Sequence, residues 1–227
     1  PSGEGSKSVS IAGGKFTDAA GNNNNASNTF SWTYDSTSPT SAITSSDITS
    51  GSINNESSVD FTFTSNESST NFAKDDIAVS GGTLSNFAGS GTSYSATFTP
   101  SGEGSKSVSI AGGKFTDAAG NNNNASNTFS WTYDSTSPTS VIGSTDITSG
   151  SINNEPSVDF TFTSNEETTN LIKEDITVIG GTLSNFAGSG ASYSATFTPS
   201  GEGSKSVSIA GGKFTDAAGN NNNASNT

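Results

Sequence analysis

Histidine, cysteine and arginine are missing from this chain of 227 residues, and each absence removes a class of chemistry. Without cysteine there is no disulfide framework, no thiolate metal site and no thiol nucleophile, and the fold is indifferent to redox compartment. Without histidine, no side chain of ordinary pKa serves as a general base near neutral pH. Positive charge is scarce: eight lysines face 21 acidic residues, for a net charge of −13. Phosphate backbones and anionic membranes demand basic patches, so neither nucleic acid nor membrane insertion is expected. No apolar run approaches the ~18 residues of a membrane span, and no signal peptide is visible in a chain that opens in mid-pattern. Hydrophobic residues reach only 28%, with Ser, Thr, Asn and Gly in their place. The apolar residues that remain are mostly aromatic or β-branched and spaced for strands, which argues against disorder.

What the chain does have is repetition. "PSGEGSKSVSIAGGKFTDAAGNNNNASNT" begins at Pro1, Pro100 and Pro199, a period of 99 residues. The first two copies differ at twelve positions. A period this long is a whole domain rather than a solenoid turn. The boundary is set at "YDSTSPT", Tyr34–Thr40 and Tyr133–Thr139, where an apolar strand ends and proline blocks further ladder bonding. On that register residues 1–35 are the C-terminal fragment of one repeat and 36–134 a complete repeat. Residues 135–227 are a repeat lacking its last strand.

Alternation marks the strands of the complete unit. "SVDFTFTS" places Val59, Phe61 and Phe63 on one face and Asp60, Thr62 and Thr64 on the other. "SAITSSDI" forms a short first strand. "DDIAVSGG", "TLSNFA" and "SYSATFTP" supply Ile77, Val79, Leu84, Phe87, Tyr94, Ala96 and Phe98. "SKSVSIAGGKFTD" carries Val108, Ile110 and Phe115, and "TFSWTYD" carries Phe129, Trp131 and Tyr133. Helical spacing appears nowhere over a useful length. About seven antiparallel strands in ~100 residues, with turn signals every 8–12 positions, predict an all-β chain of tandem immunoglobulin-like β-sandwiches. The Cys–Trp–Cys pin of antibody domains is absent, and Trp131 lies in the last strand.

The combination of "SGGTLSNF", "YSATFTP" and "FTDAAGN", closed by "YDSTSPT", resembles the bacterial Ig-like repeats of large secreted adhesins and surface proteins over the whole 99-residue unit. The resemblance implies an extracellular or cell-surface tandem domain that spaces, extends or anchors other modules. It also implies calcium at domain junctions, as in related adhesin stalks. This unit is richer in Asn and Ser and poorer in Asp than many of those stalks.

Strand parity gives the aspartate of "FTDAAGN" a place. In an up-and-down count, the second-to-third connection (65–76) and the sixth-to-seventh connection (117–127) share the pole at which the linker from the preceding domain arrives. Asp35, Glu67, Asp75 or Asp76, Asp117 and Asn121 then converge at one junction. Asp134, Glu166, Glu167, Glu174, Asp175, Asp216 and Asn220 converge at the next. Ca²⁺ takes 6–8 hard oxygen ligands of this kind. The alternative is plain turn chemistry, since Asp and Asn bond nearby backbone and Gly120 supplies positive φ. The aspartate either caps a turn or holds a bridging ion.

No enzyme is expected, because adjacent acids such as Asp75 and Asp76 read as a solvated edge or a cap. "SGEGS" (101–105) joins two strands and lacks the helix of a phosphate loop, so it reads as a turn. Asn-x-Ser sequons at Asn25, Asn55, Asn66, Asn124 and Asn223 are chance matches in an Asn- and Ser-rich chain. The leading expectation is a non-enzymatic stalk or extender segment whose reach grows with copy number. Neighbouring copies of the same repeat are its partners, and each unit adds roughly 35–45 Å from a ~3.3 Å rise per residue. Two alternatives stand beside it. One is a polymerising fibre subunit, completed through exposed strand edges by other chains. The other is a glycan- or ice-binding module using the alternating threonines of Thr62–Thr64 and Thr97–Thr99.

Overall fold

The computed structural model describes residues 2–227. Alternation of apolar and hydroxyl side chains does what period-2 patterning requires, sending one set inward and the other to water. In β5 (Val59–Ser69), Val59, Phe61 and Phe63 are buried while Asp60, Thr62 and Thr64 are exposed. The first segment forms a two-stranded ribbon, β1 (Gly5–Val9) against β2 (Phe30–Tyr34).

The complete unit adds β3 (Ser41–Ser45), β4 (Ile53–Asn54), β5, β6 (Ile77–Ser80), β7 (Gly82–Pro100), β8 (Gly104–Ile110) and β9 (Phe129–Tyr133). One sheet has the order β3-β5-β7 and the other β4-β9-β8-β6. β7 is a ribbon folded on itself. Ser101 N donates to Gly81 O at 2.9 Å, Ser85 Oγ reaches Thr97 O at 3.3 Å, and a Cβ on Gly89 would lie 2.6 Å from Tyr94 Cα. Its second arm pairs with β5, Val59 opposite Phe98. "TLSNFA" and "SYSATFTP" are therefore its two arms. The result is the four-on-three strand arrangement of an Ig-like sandwich, with the tiny β4 running parallel to β9 as an addition.

The chain crosses between the two sheets, changing sheet between β5 and β6, β6 and β7, and β7 and β8. Apart from the short step from β3 to β4, successive strands reverse direction, so loops keep the poles that parity assigned. Two sequence expectations need correction. The strand expected to run through Phe115 stops at Ile110 and gives way to a turn with Gly113 at φ +73°. The strand "SAITSSDI" is cut to Ser41–Ser45, and the two-residue β4 was too short to show in any periodicity.

The core of this unit is aromatic. Phe61 sits edge-on to Phe129 at 5.1 Å, Phe98 edge-on to Trp131 at 4.9 Å, and Phe72 edge-on to Tyr94 at 5.0 Å. Such pairs add about 0.5–1.5 kcal/mol each beyond burial. The "SGG" motif has a steric reason: a Cβ on Gly82 would collide with the Phe98 ring and the Thr99 carbonyl. Lys106 is 2% exposed on the inner face of β8, its ammonium donating to the carbonyls of Ser101 (3.3 Å) and Glu103 (3.1 Å).

The following unit repeats the plan with β10 (Ser140–Ser144), β11 (Val158–Thr168), β12 (Ile176–Ile179), β13 (Gly181–Pro199) and β14 (Ser206–Ile209). Its sheets are β10-β11-β13 and β12-β14. Among the described residues the helical content is two single 3-10 turns, Lys74–Asp76 and Lys173–Asp175. No helix of the described residues is long and apolar enough to cross a membrane.

Candidate metal centre at the domain junctions

The linker enters each unit under tight hydrogen-bond control. Asp35 Oδ1 accepts from Thr37 N at 3.0 Å, closing an Asx-type turn. Glu4, in the turn before β1, accepts through Oε1 from Ser36 N (3.2 Å), Ser36 Oγ (2.9 Å) and Thr37 Oγ1 (2.7 Å). Pro39 is fully buried, and its carbonyl accepts from Asn124 N at 2.8 Å. Asn66 Oδ1 then receives Thr40 N at 2.5 Å, which brings its neighbour Glu67 beside the linker. The second junction uses Glu103, Ser135, Thr136, Pro138 and Asn165 in the same roles.

From the opposite side comes the Asp-Ala-Ala-Gly-Asn loop. Asp117 Oδ1 accepts from Ala119 N and Asn121 N, both at 2.9 Å, and Oδ2 accepts from Asn121 Nδ2 at 2.9 Å. Gly120 takes φ +92°, a backbone state that suits a residue without Cβ. The same bonds form at Asp18 and Asn22, so the loop is built by local chemistry alone. The turn-cap role is therefore realised. Further along the asparagine run, Asn123 is 3% exposed and acts as a plug. Its Oδ1 accepts from Lys114 N (2.7 Å) and Phe115 N (3.0 Å), while Nδ2 donates to the carbonyls of Ala111 (3.0 Å) and Asn124 (2.7 Å). This holds Phe115 in the core.

The capping aspartate does not stand alone. Carboxylate oxygens of Asp35, Glu67 and Asp117 lie within 4.8 Å of one another, and those of Asp134, Glu166 and Asp216 do the same at the next junction. Asp117 is 7% exposed and Asp216 5%. Glu67 Oε2 and Glu166 Oε2 are buried without a hydrogen-bond partner. Burial, the Asp35 charge and the Asp117 carboxyl push the Glu67 carboxyl above its usual range. Glu166 is raised by burial and by Asp134 and Asp216. Asp117 is lowered, chiefly by the Asn121 amide. Threonine and serine hydroxyls likewise hold Glu4 and Glu103 low.

The donor set fits a hard divalent cation. Three carboxylates from three separate segments offer up to six oxygens, and one oxygen in each group is buried with nothing to bond. The expected ligands divide accordingly. Asp35, Glu67 and Asp117 come together, as do Asp134, Glu166 and Asp216. Asp76 does not join them, because its Oδ2 accepts from Ala73 N at 2.8 Å and caps the 3-10 turn, and Asp175 does the same for Ile172 N at 3.0 Å. Asp75, Glu167 and Glu174 also stand outside the two groups. Asn121 and Asn220 direct their amide nitrogens, not their oxygens, to Asp117 and Asp216 and to the carbonyls of Asp35 (3.3 Å) and Asp134 (3.0 Å). These bonds hold the two aspartate carboxylates in place.

Sequence reading missed Glu4 and Glu103, which it left in a glycine-rich turn. Their Ser-Thr partners lie 32 and 33 residues away, a separation that no local pattern displays.

The family model for the bacterial Ig-like domain matches residues 35–133 and again 134–227. No curated protein matches the chain. Domains of this family are generally structural, non-catalytic and of surface type. Fold, tandem repeat and family match agree, and the chain belongs to the bacterial Ig-like domain family.

Proposed function

We propose that this chain is a stalk segment of a bacterial extracellular or cell-surface protein, an adhesin or filament, in which a divalent cation, preferentially Ca²⁺, stiffens each domain junction. One observation carries the cation: the same three-carboxylate group, with the same unpartnered glutamate oxygen, occurs at both junctions. Like charges brought this close repel, and a structure that repeats the arrangement needs something to neutralise it. Asp35 and Asp134 belong to the linkers, whereas Glu67, Asp117, Glu166 and Asp216 belong to the domains. A bridging cation ties linker to domain, which is what a spacer under tension requires. The high negative charge keeps successive units apart and soluble.

Thermal unfolding of the chain in CaCl₂ and in EDTA tests this. At a hundredfold excess over Kd a single site adds about 2.7 kcal/mol. For a ~100-residue domain that is a rise in midpoint on the order of ten degrees. Glu67→Gln together with Glu166→Gln abolishes the calcium response. Equal midpoints in the two buffers overturn the cation half of the proposal and leave the loops as turn caps.

A further inference from the structure

At the second junction the two consecutive units also touch directly. Asn55 Nδ2, in the complete unit, donates to Asn220 Oδ1 of the following one at 3.0 Å. Both partners are held in place from behind. On the first side, the parallel pairing of β4 with β9 seats Asn54 opposite Tyr133, and Asp134 N donates to Asn54 O at 3.0 Å just as the chain leaves the unit. Asn54 Oδ1 accepts from Glu56 N at 3.2 Å, closing a turn that presents Asn55 outward. On the second side, Asn220 is 8% exposed and spends both amide protons on Asp216 Oδ2 (2.9 Å) and the linker carbonyl of Asp134 (3.0 Å). Its Oδ1 remains for the neighbour, and Asn55 takes it. The receiving loop is ready before docking: Asn121 makes the matching bonds to Asp117 and Asp35 using only its own unit and linker.

We infer that the Asn54–Glu56 turn at the trailing pole of one unit is a docking surface for the Asp216–Asn220 loop of the next, and that the Asn55–Asn220 bond sets the angle between them. The partner this surface fits is another copy of the same repeat, joined head to tail. The inference deepens the stalk reading and rests on it, but it does not rest on the cation. β4, two residues with no visible pattern, acquires a purpose: it carries the latch to the unit boundary. Of the carboxylate cluster, Asp134 lies on that linker and Asp216 on that loop, with Glu166 joining them from β11, so the latch and the carboxylates act on one hinge.

Because the chain has no cysteine, spin labels at Thr62→Cys and Thr161→Cys report the distance between the two units without background. Both threonines are exposed on outer strand faces, away from the junction. The expected result is a narrow distance distribution in the otherwise unaltered chain, broadened by Asn55→Ala. One neutral hydrogen bond moves the docked-to-undocked ratio about two- to tenfold. Asn55→Asp broadens it further, by setting a carboxylate against Asn220 Oδ1 and the acidic hinge. Unchanged unfolding midpoints show that Asn55, in an exposed turn, was not holding up the fold. A distribution indifferent to both substitutions overturns the latch. Running each variant in CaCl₂ and EDTA separates the two ideas: broadening by Asn55→Ala with no chelator effect upholds the latch and removes the cation.

Discussion

At the scale of single residues, the two raised glutamates and the lowered Asp117 act on stability in opposite senses. The folded chain binds a proton at Glu67 more tightly than the unfolded chain does. Its contribution is full below the ordinary value of 4.5 and is lost as pH rises through the higher folded value. Asp117 contributes above its ordinary value of 3.8, and that contribution is lost as pH falls through the depressed folded value. In EDTA the midpoint is therefore expected to climb as neutral solution is acidified toward 4.5, then to fall below 3.8. Replacing Glu67 and Glu166 by Gln removes the first limb and leaves the second. A pH series of melts checks this, and a flat upper limb in the unaltered chain counts against junction repulsion.

At the scale of elements, the Asn run separates structural from incidental positions. Asn123→Ala strips the acceptor from two backbone N–H groups, Lys114 and Phe115. The expected loss is about 2–3 kcal/mol in urea unfolding of that unit. Asn124 is exposed and enters only through its backbone, its N–H donating to Pro39 O and its carbonyl accepting from Asn123 Nδ2, so Asn124→Ala shifts stability by less than about 0.5 kcal/mol. Similar costs for the two would contradict the plug. The folded ribbon of β7 offers a second check at this scale. Gly82→Ala drives a methyl into the Phe98 ring and the Thr99 carbonyl, with an expected cost of about 1–3 kcal/mol.

Across the whole molecule, the two units share one plan. In the complete unit Phe61 is 1% exposed, enclosed by Phe98, Phe129 and Trp131. Phe61→Ala is expected to cost that unit about 3–5 kcal/mol, read by calorimetry as a lowered transition. Near-identical neighbours favour swapped strands during folding, so refolding yield at rising concentration is the sensitive measure of how well the units keep apart.

The strands, the repeat and the Ig-like class were legible from sequence, because a period of two residues and a period of 99 are both written along the chain. Even the convergence of Asp35, Glu67 and Asp117 followed from counting reversals, since a loop's pole depends only on parity. What parity cannot supply is direction. Asp76 lies in a loop at that same pole, yet its carboxylate turns back to Ala73, and Asn121 and Asn220 offer nitrogen where oxygen was expected. Nor does any local pattern pair Glu4 with Thr37 or Asn55 with Asn220, residues 33 and 165 apart. Sequence alone determined which residues face inward and which loops share a pole, because those follow from spacing. Tertiary structure alone decided which oxygen each side chain presents, because a hydrogen bond at 3 Å is settled by the backbone positions of both partners at once.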